Sequence, residues 1–193
     1  MSQTIVRPSS RYAAALLSRV GAGSNWDCVN DVTADGDTTF VCYESQLEDV
    51  LASGYDNYNV TGWSSTGVSS IASVTTYALV RKVDVTVLIG RAYTAIGYLG
   101  MNDVLGSAQD LSTSYALIST TYTTNPWTSV GWTVANMSNI KIGIQLETVS
   151  TVANAVRCTQ VYGEIVWRPS MKKVSIPVGE KLVIPNGKRL TIV

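Results

Sequence analysis

Histidine is absent from this sequence. Activation of a serine or cysteine by an imidazole is therefore excluded, and so is the commonest metal ligand. The groups left to do chemistry are carboxylates, thiols and aromatic rings. Two carboxylates can run glycoside hydrolysis, and the pairs on offer are Asp35 with Asp37 and Glu147 with Glu164. Asp35-Gly36-Asp37 stands among polar residues, where Asp and Gly favour a turn through local hydrogen bonds and positive φ. The alternative is a Ca²⁺ site in which Asp31, Asp35 and Asp37 supply oxygens, although the spacing is not that of an EF-hand. Glu147 and Glu164 fall on two different predicted strands with nothing to bring them together, so solvated strand faces are expected. Cys28, Cys42 and Cys158 form no C-x-x-C pair, and their odd number favours buried thiols. Whether Cys28 and Cys42 pair is open. Gly21 and Gly23 lack the third glycine and the preceding strand of a phosphate cradle, so nucleotide binding is not expected.

Ten tyrosines and five tryptophans stand against one phenylalanine. These amphipathic rings suit half-exposed interfaces and sugar stacking. Tyr55, Tyr58 and Trp63 belong to a loop-like stretch around 54–62, where they are expected to be exposed as a subunit contact or a glycan platform. Trp127 and Trp132 flank another loop and suit closure of one end of a sandwich.

The elements that position these groups are strands. Charged residues make up only 15% of the chain, and Val, Ile, Thr, Ser, Tyr, Trp and Gly dominate. Such a composition belongs to short strands joined by turns. Apolar runs at 38–43, 68–84, 85–89, 92–99, 114–122, 140–149 and 155–167 recur at sandwich spacing. In Lys141-Ile142-Gly143-Ile144-Gln145-Leu146-Glu147 the apolar residues share one face and the charged ends the other. Single helical turns are expected at 46–50 and 134–138. No apolar run is long enough to span a membrane, and the N-terminal residues lack the core of a signal peptide.

Three segments follow: an N-terminal arm over 1–25, a β-sandwich over 26–168 and a tail over 169–193. The tail holds a repeat of period eight, Ser175-Ile-Pro-Val-Gly-Glu-Lys-Leu182 followed by Val183-Ile-Pro-Asn-Gly-Lys-Arg-Leu190. Each unit is a Pro-x-Gly turn between short extended pieces. Val174, Ile176, Leu182, Ile184, Leu190 and Ile192 would gain roughly 1.5–3 kcal/mol each on burial, while ordering each backbone residue costs about 1–2 kcal/mol. The tail is not expected to fold alone. It must dock on its own domain, on symmetry mates or on another protein, and short units that cannot bury their faces suit an oligomer. The two ends carry +3 and +4 and the body −7, so Arg7 and the tail are candidate assembly contacts. Nucleic acid is not expected, because the basic residues are few and not interleaved with aromatics.

Asn25-Trp26-Asp27-Cys28-Val29, Asp35-Gly36-Asp37-Thr38-Thr39-Phe40-Val41, Asn125-Pro126-Trp127-Thr128-Ser129-Val130-Gly131-Trp132-Thr133, Gly143-Ile144 and Cys158-Thr159-Gln160-Val161-Tyr162-Gly163-Glu164-Ile165 together resemble a family of small β-sandwich proteins. That family is encoded among the structural genes of tailed bacteriophages and prophages. The resemblance covers about residues 25–168 and implies an antiparallel, jelly-roll-like or concanavalin-like sandwich with a place in the virion and no catalytic residues. The repeat separately resembles short β-units of trimeric phage fibres and capsid-decorating proteins. The expectation is a non-enzymatic structural protein without cofactor, a homotrimer assembled in the host cytoplasm that decorates the capsid by binding the major capsid protein or another virion protein. The alternative is a tail-fibre or receptor-binding protein that recognises host glycans.

Overall fold

The computed structural model describes residues 1–12, 16–43, 50–150 and 152–170. Within them the chain is almost entirely strand: β1 (Ser2–Arg11), β2 (Ser18–Val20), β3 (Phe40–Tyr43), β4 (Ala52–Thr61), β5 (Val68–Lys82), β6 (Ile89–Tyr98), β7 (Val104–Leu105), β8 (Gln109–Asp110), β9 (Ala116–Tyr122), β10 (Ile140–Val149) and β11 (Val156–Pro169). A 3-10 helix, Val134–Asn139, stands at the expected turn. Thr133 caps it: its hydroxyl accepts from the Asn136 N–H, and the Asn136 side chain accepts from the Thr133 N–H.

All strand pairs are antiparallel. In the first sheet β5 lies between β9 and β11, and the far edge of β11 is shared by β3 and β1, with β2 beyond β3. In the second, β10 lies between β4 and β6, with β1 beyond β4 and the short β7 and β8 beyond β6. From β3 onward the longer strands alternate between sheets. The protein is an antiparallel, jelly-roll-like β-sandwich, as its strand spacing predicts.

The sandwich interior follows from period-two alternation. Ile142, Ile144 and Leu146 of β10 are buried and meet Ala78, Val80, Cys158 and Val161 of the first sheet. A second core gathers Val6, Ile71, Val74, Ile96 and Ile165, closed at the end of the sandwich by Trp132 and Met137. The rings of Trp127 and Trp132 meet edge to face with centroids 6.4 Å apart, and their indole N–H groups donate to the carbonyls of Asn102 and Tyr122 at 2.7 and 2.9 Å. That geometry satisfies both polar ends of these large apolar rings.

Several expectations change. Over 2–11 the anticipated arm is β1, a strand of the body that belongs to both sheets. Ser2 to Val6 pair with β11, and Arg7 to Arg11 with β4, the register slipping between Pro8 and Ser10. Pro8, which cannot donate to a ladder, sits at that irregularity. Residues 54–61 of the stretch read as a loop belong to β4. Of the run 85–89, residues 85–88 form a turn, in which the Thr86 N–H donates to the Asp84 carboxylate at 2.9 Å, and Ile89 opens β6. The apolar tail positions from Val174 to Ile192, and all of the 46–50 turn except Val50, lie outside the described residues.

Candidate functional site

The aspartates proposed as calcium ligands do not converge. The Asp37 carboxylate accepts from Arg81 and Arg157, the latter at 2.8 Å, and from the Tyr115 hydroxyl at 2.9 Å. Burial works to raise its pKa, but the hydrogen bonds from Arg157, Tyr115 and Arg81 outweigh it and hold the carboxyl below its ordinary range. Asp35 accepts from the hydroxyls of Thr39 and Thr159 at 2.7 and 3.0 Å. Asp31 is raised by burial and by the neighbouring charges of Asp35 and Asp27. An acid pinned by two guanidiniums is no cation ligand, and among the described residues no group of acids or thiols is placed to hold a metal. The loop is instead an ionic clamp on β5 and β11.

Tyr55, Tyr58 and Trp63 are likewise separated, because successive strand residues point to opposite faces. Tyr58 points inward and is 0% exposed, so it is a core residue and not a contact surface. Trp63 packs against the second core, and Tyr55 lies half-buried on the outer face of the second sheet. Arg7 is engaged within its own chain: its guanidinium donates to the Asp31 carbonyl at 2.6 Å and lies over the Tyr162 ring. Glu147 and Glu164 occupy the outer faces of different sheets, where each accepts from a tyrosine, Tyr93 at 3.0 Å and Tyr77 at 3.1 Å. Two acids on opposite sides of a sandwich cannot act on one bond. All three cysteines are buried thiols.

The outer face of the second sheet is where unassigned polar groups concentrate. Register places Tyr55, Asn57 and Asn59 of β4 beside Gln145, Gly143 and Lys141 of β10, and these beside Tyr93, Ala95 and Gly97 of β6. The two glycines permit a close approach. A Cβ at Gly97 would strike the Asp103 carboxylate and the Asn57 amide, which donates to Asp103 at 2.7 Å; a Cβ at Gly143 would strike the Asp56 carbonyl. The Tyr55 hydroxyl lies over Gly143, and burial, reinforced by Asp103, pushes its ionisation well above the ordinary tyrosine range. At one end Arg91 donates to Asp110 at 2.9 Å and lies 3.8 Å from Glu147. At the other the Lys141 ammonium sits 3.5 Å from the centre of the Tyr12 ring.

Beneath this face Asp56 is buried, its carboxylate accepting from the N–H groups of Leu16 and Leu17, the Asn25 amide and the Tyr58 hydroxyl. Burial raises its pKa and these donors oppose the rise. The site was partly legible: Ser53, Tyr55, Asn57 and Asn59 are a period-two polar stripe. The position of Tyr12 across β4 carries no local signal.

No family model matches this chain, and no curated protein matches it. Among solved structures it is similar to the N-terminal cellulose-binding domain of β-1,4-glucanase C from Cellulomonas fimi. The two share 13% identity over 81% of this chain and 90% of that one, with a TM-score of 0.35.

Proposed function

We propose that this chain is a non-enzymatic structural protein of a tailed-bacteriophage virion, a trimer that decorates the capsid surface. The observation that carries the reading is how the body ends. The described residues of both cores fall within 6–167, and β11 stops at Pro169 beside the tryptophan-closed end. Within a few residues the period-eight repeat begins, with six apolar positions that a twenty-residue segment cannot bury by itself. A rigid body carrying such a segment suits a part that gains its binding energy only in the assembled particle. The test is the solution mass of the full chain beside a chain ending at Ser170, measured by light scattering. The expected result is a trimer that falls to a folded monomer; a shortened chain that keeps the full oligomer would overturn the proposal.

A second reading, a tail-fibre or receptor-binding protein, is favoured by the outer face of the second sheet. Its tyrosines, amides and single charges are the mix that holds sugars, and trimerisation would multiply a weak affinity. Binding of the full-length protein to a glycan array tests it.

A further inference from the structure

Lys141 is the outlier among the charges of this molecule. It is 3% exposed, yet among the described residues no carboxylate stands within ion-pair distance of its ammonium. Asp103, the acid of that neighbourhood, is occupied by the Asn57 amide. The partner Lys141 has is the face of Tyr12. Tyr12 is placed there by its backbone N–H, which donates to the Asn57 carbonyl at 3.1 Å. A buried ammonium with only a ring for company is incompletely compensated, since a cation–π contact is worth less than a charge-assisted hydrogen bond.

The same lysine lines a hollow of about 200 Å³ at the edge of the second sheet, with Tyr12, Asn59, Leu99, Ser138 and Asn139 among its walls. No lining residue is acidic. The hollow is smaller than the roughly 300–1,000 Å³ that takes a drug-sized molecule, so it fits one unit of a larger ligand. Its chemistry is one fixed cation, two amides, a hydroxyl and a tyrosine that is 40% exposed. A cation asks for an anion. Amides and a hydroxyl ask for several hydroxyls, and a partly exposed ring offers a stacking surface.

We propose that this hollow binds the carboxylate-bearing terminal residue of an acidic glycan, with Lys141 as the counter-charge and Tyr12 as the stacking wall. The proposal rests on the glycan-recognition reading of this sheet and not on the assembly reading. It is tested on the full-length protein by saturation-transfer NMR and calorimetric titration with glucuronate and N-acetylneuraminate. Glucuronamide serves as the uncharged isostere and triglutamate as an acidic peptide. At least one of the two acidic sugars is expected to bind, and glucuronamide to bind roughly ten- to hundred-fold more weakly than glucuronate, the worth of one charge-assisted hydrogen bond. Lys141→Met should cause a loss of the same size, and Lys141→Arg should retain most of the affinity. Tyr12→Ala, at a partly exposed position that spares the core, should weaken both acids while the thermal midpoint holds.

Equal binding of glucuronate and its amide, or unchanged affinity in Lys141→Met, would overturn the inference, as would binding of triglutamate with the sugars silent. Neutral oligosaccharides that bind while the acids do not would sink the inference and leave glycan recognition standing. A chain that binds no sugar on any array would remove both.

Discussion

Asp37 is exposed and Asp56 buried, and their pKa values move in opposite directions, because hydrogen bonds prevail at Asp37 and burial prevails at Asp56. Asp37 faces two guanidiniums and a hydroxyl, so its ionised form is favoured in the folded protein. Its contribution is therefore present at pH values above the unfolded carboxyl pKa of about 3.9 and is lost as pH falls through the lower folded value. Asp37→Asn should be less stable than the parent at pH 7, with the gap in thermal midpoint closing below pH 4. A gap independent of pH would mean that the charge is not what the clamp uses. At this scale the sequence was legible only in part. The 31–37 acids were recognisable as a loop cluster, but Arg81 and Arg157 are 44 and 120 residues away from Asp37. No local spacing shows that their charges close on it.

At the scale of elements, β10 was legible to the residue, whereas β4 offered a polar stripe without an apolar one. In β10 the inward positions are Ile142, Ile144 and Leu146, a period-two apolar signal that the outward-facing Gly143 does not break. In β4 the corresponding positions are Gly54, Asp56 and Tyr58, so the apolar alternation is missing and Gly54 and Gly62 read as punctuation. The Asp56 carboxylate is satisfied by three donors brought from the 16–25 segment and by Tyr58 of its own strand, which offsets the cost of burying it. The first strand was missed for a related reason: its two halves serve different sheets, so neither is long enough to show a period. Val6, at the crossing, is fully buried. Val6→Ala should cost about 1.5–3 kcal/mol in urea unfolding, and removal of residues 1–11 should abolish the cooperative transition. A deletion that melts like the parent would restore the segment to the status of an arm.

For the whole molecule, the first core encloses Cys28 and Cys158 and Cys42 is buried as well; burial raises the thiol of Cys28 and pushes that of Cys158 up to about 12. A native sample should therefore react with none of its three thiols over the time in which a denatured sample reacts with all of them. A single fast thiol would show local opening around that residue without global unfolding. The overall class was the most legible property, because composition and strand spacing act additively along the chain and need no knowledge of who meets whom. Topology does need that knowledge, and β1 illustrates what it entails. Ser2 lies opposite Trp167. β1 therefore waits for β11, far later in the chain, and the sandwich cannot close until both have been made. Until then every nascent copy exposes open strand edges to its neighbours. A cell making many copies at once must bring this chain home by rapid closure after release or by sheltering it on the way.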